Sequence, residues 1–252
     1  MNSRQPMADI TSEALYLVQA ARADGFPIRI LGGVAIAILA GRVLPERLQR
    51  SYADIDLAIR IDDGGRARGL LTVLGYEADR GFNSLHGSRR LLFYDVANGR
   101  RMDVFVGVFK MCHELNLADR LDVVPSTLSP ADLLLTKLQI VELNQKDLID
   151  VVSLLHACAV GDRPQVDTID RPRLELVTGA DWGWHTTVAD NLERVSTAAG
   201  ELFSGEDAAI VRRRAQEIRQ AIDRAPKSFG WKVRARVGRR MQWYELPEEV
   251  AR

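Results

Sequence analysis

The segment Asp54-Ile55-Asp56-Leu57-Ala58-Ile59-Arg60-Ile61 alternates, with Asp54, Asp56, Ala58 and Arg60 on one side and Ile55, Leu57, Ile59 and Ile61 on the other. A period of two is that of a β-strand, so both carboxylates point the same way while the isoleucines and leucine face a core. Two carboxylates held together repel unless a cation lies between them. Mg²⁺ suits such a pair, because it prefers oxygen ligands and completes its shell with water and substrate phosphates. A solvated strand edge is the plain alternative for a D-x-D pair on its own.

Upstream, an apolar strand over residues 28–31 runs into Gly32-Gly33 and then a helix over 34–40. Glycines ahead of a helix leave backbone N–H groups open at its positive end, where a triphosphate can approach. Downstream, two further strands are predicted over 90–94 and 102–108, joined through the hairpin signal Asn98-Gly99. Asp103 begins the second of them, so in a sheet it can approach Asp54 and Asp56. Helices are expected over 9–23 and 66–74.

The rest of the chain reads as helical. Ser129-Pro130-Ala131-Asp132 combines an N-cap serine, a proline at the first position and an acid at the third, and opens a helix carrying Lys137. Further helices are predicted over 146–159, 188–199 and 207–224, with a linker over 161–173. Lys232-Val233-Arg234-Ala235-Arg236-Val237 alternates charge with small apolar groups and is read as a strand with a basic face, suited to RNA or nucleotide phosphates or to a blunted sheet edge.

Composition narrows little. The chain has 252 residues, 46% hydrophobic and 27% charged, with 34 basic and 34 acidic side chains, the values of an ordinary globular protein without a global pull toward nucleic acid or membrane. The charge is unevenly spread: residues 111–170 carry 10 acids against 4 bases, whereas 227–240 hold six bases and no acid. The longest apolar stretch, 31–41, is too short to cross a bilayer, and no basic region precedes an apolar run at the N-terminus, so a cytoplasmic location is expected. Cys112 and Cys158 are read as two reduced thiols. His86, His113, His156 and His185 lack ligand spacing and are read as structural, and Trp182, Trp184, Trp231 and Trp243 as core.

The run Leu31-Gly32-Gly33, then Arg50 four residues before Asp54-Ile55-Asp56-Leu57, then Met102-Asp103-Val104-Phe105, resembles the DNA polymerase beta-like nucleotidyltransferase superfamily. Leu135-Thr136-Lys137-Leu138 followed by Lys146-Asp147-Leu148-Ile149-Asp150 is similar to the branch holding toxin-type and aminoglycoside-type nucleotidyltransferases. These motifs span residues 32–150. The chain departs from the commoner pattern in having Gly33 where many members place serine, and Tyr52 where a small hydroxyl residue is frequent.

The resemblance implies an α+β chain: a nucleotidyltransferase lobe over 1–125 with a small mixed sheet flanked by helices, then a mainly helical lobe over 126–252. It implies transfer of NMP from an NTP such as ATP to a hydroxyl of RNA, a small molecule or a protein, by a mechanism using two Mg²⁺ ions, with Mn²⁺ as a substitute. Asp54, Asp56 and Asp103 would hold metal, and with Lys137 would form the catalytic set. Gly32, Gly33, Arg50, Lys137, Asp147 and Asp150 would bind or orient the nucleotide. Arg50 has a second reading as the partner of a strand carboxylate, and Lys146 with Asp150 as a surface i,i+4 pair. A regulatory protein partner, as in toxin–antitoxin pairs, is a further expectation, and a catalytically silent nucleotide- or partner-binding module is the alternative function.

Overall fold

A computed structural model describes residues 4–41, 44–45 and 48–246. In chain order the elements are α1 (Ile10–Ala23), β1 (Ile28–Leu31), α2 (Gly32–Ala40), β2 (Asp54–Ile59), α3 (Gly64–Val73), β3 (Glu77–Ala78), α4 (Arg80–His86), β4 (Arg90–Asp95), β5 (Arg100–Val106), β6 (Val108–Lys110), β7 (Glu114–Asn116), α5 (Pro130–Leu138), α6 (Gln145–Ala157), β8 (Ala159–Gly161), β9 (Thr168–Asp170), α7 (Arg171–Ala180), α8 (Trp182–Leu202), α9 (Gly205–Arg224) and α10 (Phe229–Val237). The fold is α+β. The chain divides into two compact units that interleave in sequence: Met1–Ile38, Gln49–Phe109 and Asn116–Leu128 in one, and Leu39–Leu48, Lys110–Leu115 and Ser129–Arg252 in the other.

The first unit is built on a five-stranded mixed sheet of order β1-β2-β5-β4-β3. β2 runs parallel to β5, with Asp54 opposite Arg101 and Asp56 opposite Asp103, while β1 and β4 flank that pair antiparallel. One face of the sheet is apolar and closed: Ile55, Leu57, Ile59, Met102, Val104, Leu91 and Phe93 are all buried. α1 lies against β1 and α3. Glu13 of α1 is fully buried, accepting hydrogen bonds from Arg4 at 2.9 Å and from the Tyr76 hydroxyl. This satisfies a charge that burial alone would penalise.

The alternation in β2 stops sooner than its pattern suggests. Ile61 starts a 3₁₀ turn, Ile61–Asp63, and is 68% exposed rather than part of the apolar face. The cause lies in the neighbouring strand. Gly107, at φ +71°, donates its N–H to Ile59 O at 2.8 Å and turns β5 away, so no strand continues beside Ile61. The predicted strand over 102–108 correspondingly becomes β5 and β6 on either side of that glycine.

In the second unit α5 begins as its sequence predicts, the Ser129 hydroxyl accepting from Asp132 N at 3.1 Å. The segment read as a linker over 161–173 instead holds the end of β8, all of β9 and the start of α7, with β8 and β9 paired in parallel. α8 and α9 are longer than predicted, at 21 and 20 residues. The basic tail is also corrected. It is helix α10, not a strand, because the Ser228 side chain caps Trp231 N at 3.0 Å and Gly238 at φ +60° ends it. Trp184 is buried in this unit, whereas Trp182, Trp231 and Trp243 are half-buried and flank the surface. Both cysteines are free and buried.

Candidate functional site

The polar face of the first unit's sheet carries a grid of charge. On β2 stand Asp54, exposed, and Asp56, half-buried; across the parallel ladder on β5 stand Arg101 and Asp103. Side chains two apart on a strand, and residues directly opposite on neighbouring strands, share a face. The structure therefore places the three predicted carboxylates together on one face. Between them sits an arginine that the motif reading overlooked.

Asp103 is 3% exposed and its carboxylate is clamped. Arg90 Nε donates to Oδ1 at 2.8 Å, and Arg101 approaches Oδ2 through Nε at 2.9 Å and Nη2 at 2.8 Å. Arg90 is further held over the Phe105 ring at 5.1 Å. Burial works against the charge on Arg101, yet Asp103 foremost, then Asp54 and Asp56, hold its guanidinium above the ordinary arginine value. Arg101 thus faces all three acids and shares Asp103 with Arg90. Its signal was present in the sequence as the residue two before Asp103, but only the register set it against Asp54.

Gly32 leads β1 into α2 at φ +66°, a conformation that costs an L side chain about 1–2 kcal/mol. A Cβ there would lie 2.1 Å from Asp56 Oδ2, so the bare glycine is what lets the Asp56 carboxylate reach the start of α2. Gly33 is bare for a second reason. A Cβ on it would fall 2.5 Å from the Tyr52 ring and 2.9 Å from Arg50 Nη2, and Arg50 in turn stacks on Tyr52 at 4.6 Å. The two departures noted in the sequence are therefore one packing arrangement: Tyr52 takes the space that a side chain at position 33 would need. Arg50 is brought to the first turn of α2 with it.

Lys137, Asp147 and Asp150 form a cluster in the second unit. Lys137 Nζ lies 2.7 Å from Asp147 Oδ1 and 2.9 Å from Asp150 Oδ2, with the lysine side chain 14% exposed and Asp150 almost fully buried. Burial pulls the ammonium's pKa down, but Asp150 and Asp147 outweigh it and leave Lys137 above the ordinary lysine value. Asp150 accordingly serves Lys137, and the reading of it as a surface partner of Lys146 is replaced. The same unit contains a cavity of about 590 Å³ lined by His113, Trp184, Trp243, Tyr244, Glu114 and Glu245 among others. His113 there is held neutral, burial pushing its pKa down to about 4 against a small opposing effect of Asp181, and its Nε2 lies 2.9 Å from Thr187 Oγ1.

The donor set suits a divalent cation in part. Asp54, exposed, and Asp56, half-buried, share a face and are hard oxygen donors, the chemistry Mg²⁺ selects. Asp103 is the residue that does not fit, because both its oxygens are engaged by guanidinium groups. In keeping with this, no group of three His, Cys, Asp or Glu side chains is placed to hold a metal ion among the described residues.

No family model matches the chain. None of the curated proteins matches it. A solved structure of a candidate nucleotidyltransferase from H. pylori is similar at 12% identity over 86% of this chain and 97% of that one, with a TM-score of 0.38. No helix of the described residues is long and apolar enough to cross a membrane.

Proposed function

We propose that this protein is a nucleotidyltransferase that moves a nucleoside monophosphate from an NTP to a hydroxyl acceptor with the help of Mg²⁺. The observation that carries the reading is the shared face of Asp54 and Asp56 at the start of α2, kept open by Gly32. In the reaction a bond forms between the acceptor oxygen and the α-phosphorus, the bond from that phosphorus to the leaving pyrophosphate breaks, and the acceptor loses its proton. Asp54 and Asp56 would hold the cation, which supplies neutralisation of charge building on the phosphate oxygens.

The chain's own groups bind and orient. The backbone N–H groups of Gly32 and Gly33 at the start of α2 and the guanidinium of Arg50 beside them are suited to the triphosphate. Within the second unit Lys137 is fixed by Asp147 and Asp150 rather than left mobile. RNA is the acceptor we favour. α10 presents Lys232 and Arg236 one turn apart and exposed, which is a basic helix face suited to a phosphate backbone.

Incubation with α-labelled NTPs, Mg²⁺ and total RNA tests the reading. Label should appear in the acceptor with the wild-type chain and disappear with Asp56→Asn. Unchanged labelling by that variant would refute the assignment, and labelling whose RNA dependence is insensitive to salt would remove RNA as the acceptor.

A further inference from the structure

The arginine clamp on Asp103 assigns that carboxylate a different job from its two neighbours. We propose that Asp103 is a positioning residue and not a metal ligand: it fixes Arg101, with Arg90 as the second jaw, so that Arg101 meets the nucleotide's phosphates beside a cation held by Asp54 and Asp56 alone. This inference rests on the nucleotidyltransferase reading and refines which residues serve the ion and which serve the polyphosphate.

Three observations lead to it. First, Asp103 is spent: one oxygen accepts from Arg90 and the other faces two nitrogens of Arg101, all within 2.9 Å. A dication bonded to that carboxylate would sit against two guanidinium charges, whereas Asp54 stands exposed on the same face, next to the half-buried Asp56. Second, Arg101 is aimed and not buried. Its side chain is 29% exposed, it stands directly across the ladder from Asp54, and among the described residues its Nη1 has no acceptor. A planar guanidinium with one edge fixed by a carboxylate and the other edge open is the arrangement that recognises phosphate oxygens in pairs. Third, Arg90 is immobilised by Phe105 as well as by Asp103, so the clamp has a rigid side. A ligand that draws on Arg101 therefore meets a group already oriented.

Metal and nucleotide binding separate the two roles without relying on turnover. Mn²⁺ affinity by electron paramagnetic resonance and ATP affinity by calorimetry are to be measured on the full chain and on Asp103→Asn, Asp56→Asn, Arg101→Lys, Arg101→Gln and Arg90→Gln/Arg101→Gln. Asp56→Asn should weaken Mn²⁺ at least tenfold. Asp103→Asn should leave Mn²⁺ within threefold of wild type while weakening ATP at least tenfold. Arg101→Gln should weaken ATP to a similar extent, and adding Asp103→Asn to it should cost little more, because both changes remove the same contact. Arg101→Lys should restore only part of the affinity, since it keeps the charge and loses the fork.

If Asp103→Asn does not fold, the double arginine variant decides the matter. It leaves the carboxylate in place and removes both guanidinium groups, so ATP affinity should fall at least tenfold through the loss of Arg101. Loss of Mn²⁺ affinity in Asp103→Asn equal to that in Asp56→Asn, or ATP affinity within threefold of wild type in the double arginine variant, overturns the inference while leaving the transferase reading intact. A wild-type chain that binds neither Mn²⁺ nor ATP overturns both.

Discussion

Replacing Lys137 with methionine keeps the length of the side chain and removes its charge from between Asp147 and Asp150. The lysine side chain is 14% exposed and the two carboxylates 13% and 2%, so the cluster lies where water screens it poorly. Removing the cation from such a buried cluster costs about 3–5 kcal/mol. For a chain of this length each kcal/mol moves the midpoint by about 2–4 °C, so Lys137→Met should melt roughly 6–20 °C below wild type at pH 7. The deficit has a sign with pH. Lys137 in the folded chain titrates above its ordinary value, so its stabilisation is complete at neutral pH and is lost only as pH rises through the alkaline range. The gap between wild type and variant should therefore narrow as pH rises from 7 toward 11. Adding Asp147→Asn should recover part of the loss at pH 7. Differential scanning calorimetry at both pH values measures all of this. A variant within about 1 kcal/mol of wild type and indifferent to pH would show that the cluster behaves as an exposed pair and would refute the reasoning.

Two other perturbations test separate parts of the structure. Gly32→Ala and Gly99→Ala share a positive φ, +66° and +63°, but only the first sets a Cβ against a side chain, Asp56 Oδ2 at 2.1 Å, while Gly99 faces open space. Both should lose about 1–2 kcal/mol through backbone strain, and only Gly32→Ala should also lose Mn²⁺ affinity, by tenfold or more; equal metal binding in the two variants would show that Asp56 does not need the opening. His113 is held neutral with its pKa lowered to about 4, so its contribution is present above the ordinary histidine range and is lost as pH falls through about 4. At about 1.4 kcal/mol per unit this is roughly 3 kcal/mol, and denaturant titrations at pH 7 and pH 4 should show a smaller acid loss in His113→Gln than in wild type.

The parts of the fold that were legible are those set by local geometry. A period of two in 54–59 placed Asp54 and Asp56 on one face, and the serine, proline and acid at 129–132 marked the start of α5. The same local logic failed at 232–237. There a basic residue at every other position mimics a strand, although the serine at 228 and the glycine at 238 bracket a helix of nine residues. The end of β2 was misread for a different reason, since Gly107 of another strand decides where the ladder stops.

By itself, then, the sequence determined that two carboxylates share a strand face near a glycine turn, because a strand's side-chain direction depends only on neighbouring residues. Tertiary structure alone decided what surrounds them. The parallel register of β2 and β5 set Arg101 against Asp54 and Asp103 against Asp56, across 47 residues of chain. Pairing at that distance depends on which strands meet and in what register, and no local period records it. The same packing put Tyr52 over Gly33 and Arg90 onto Asp103, so that of the three acids Asp54 is exposed, Asp56 half-buried and Asp103 buried and held by arginines.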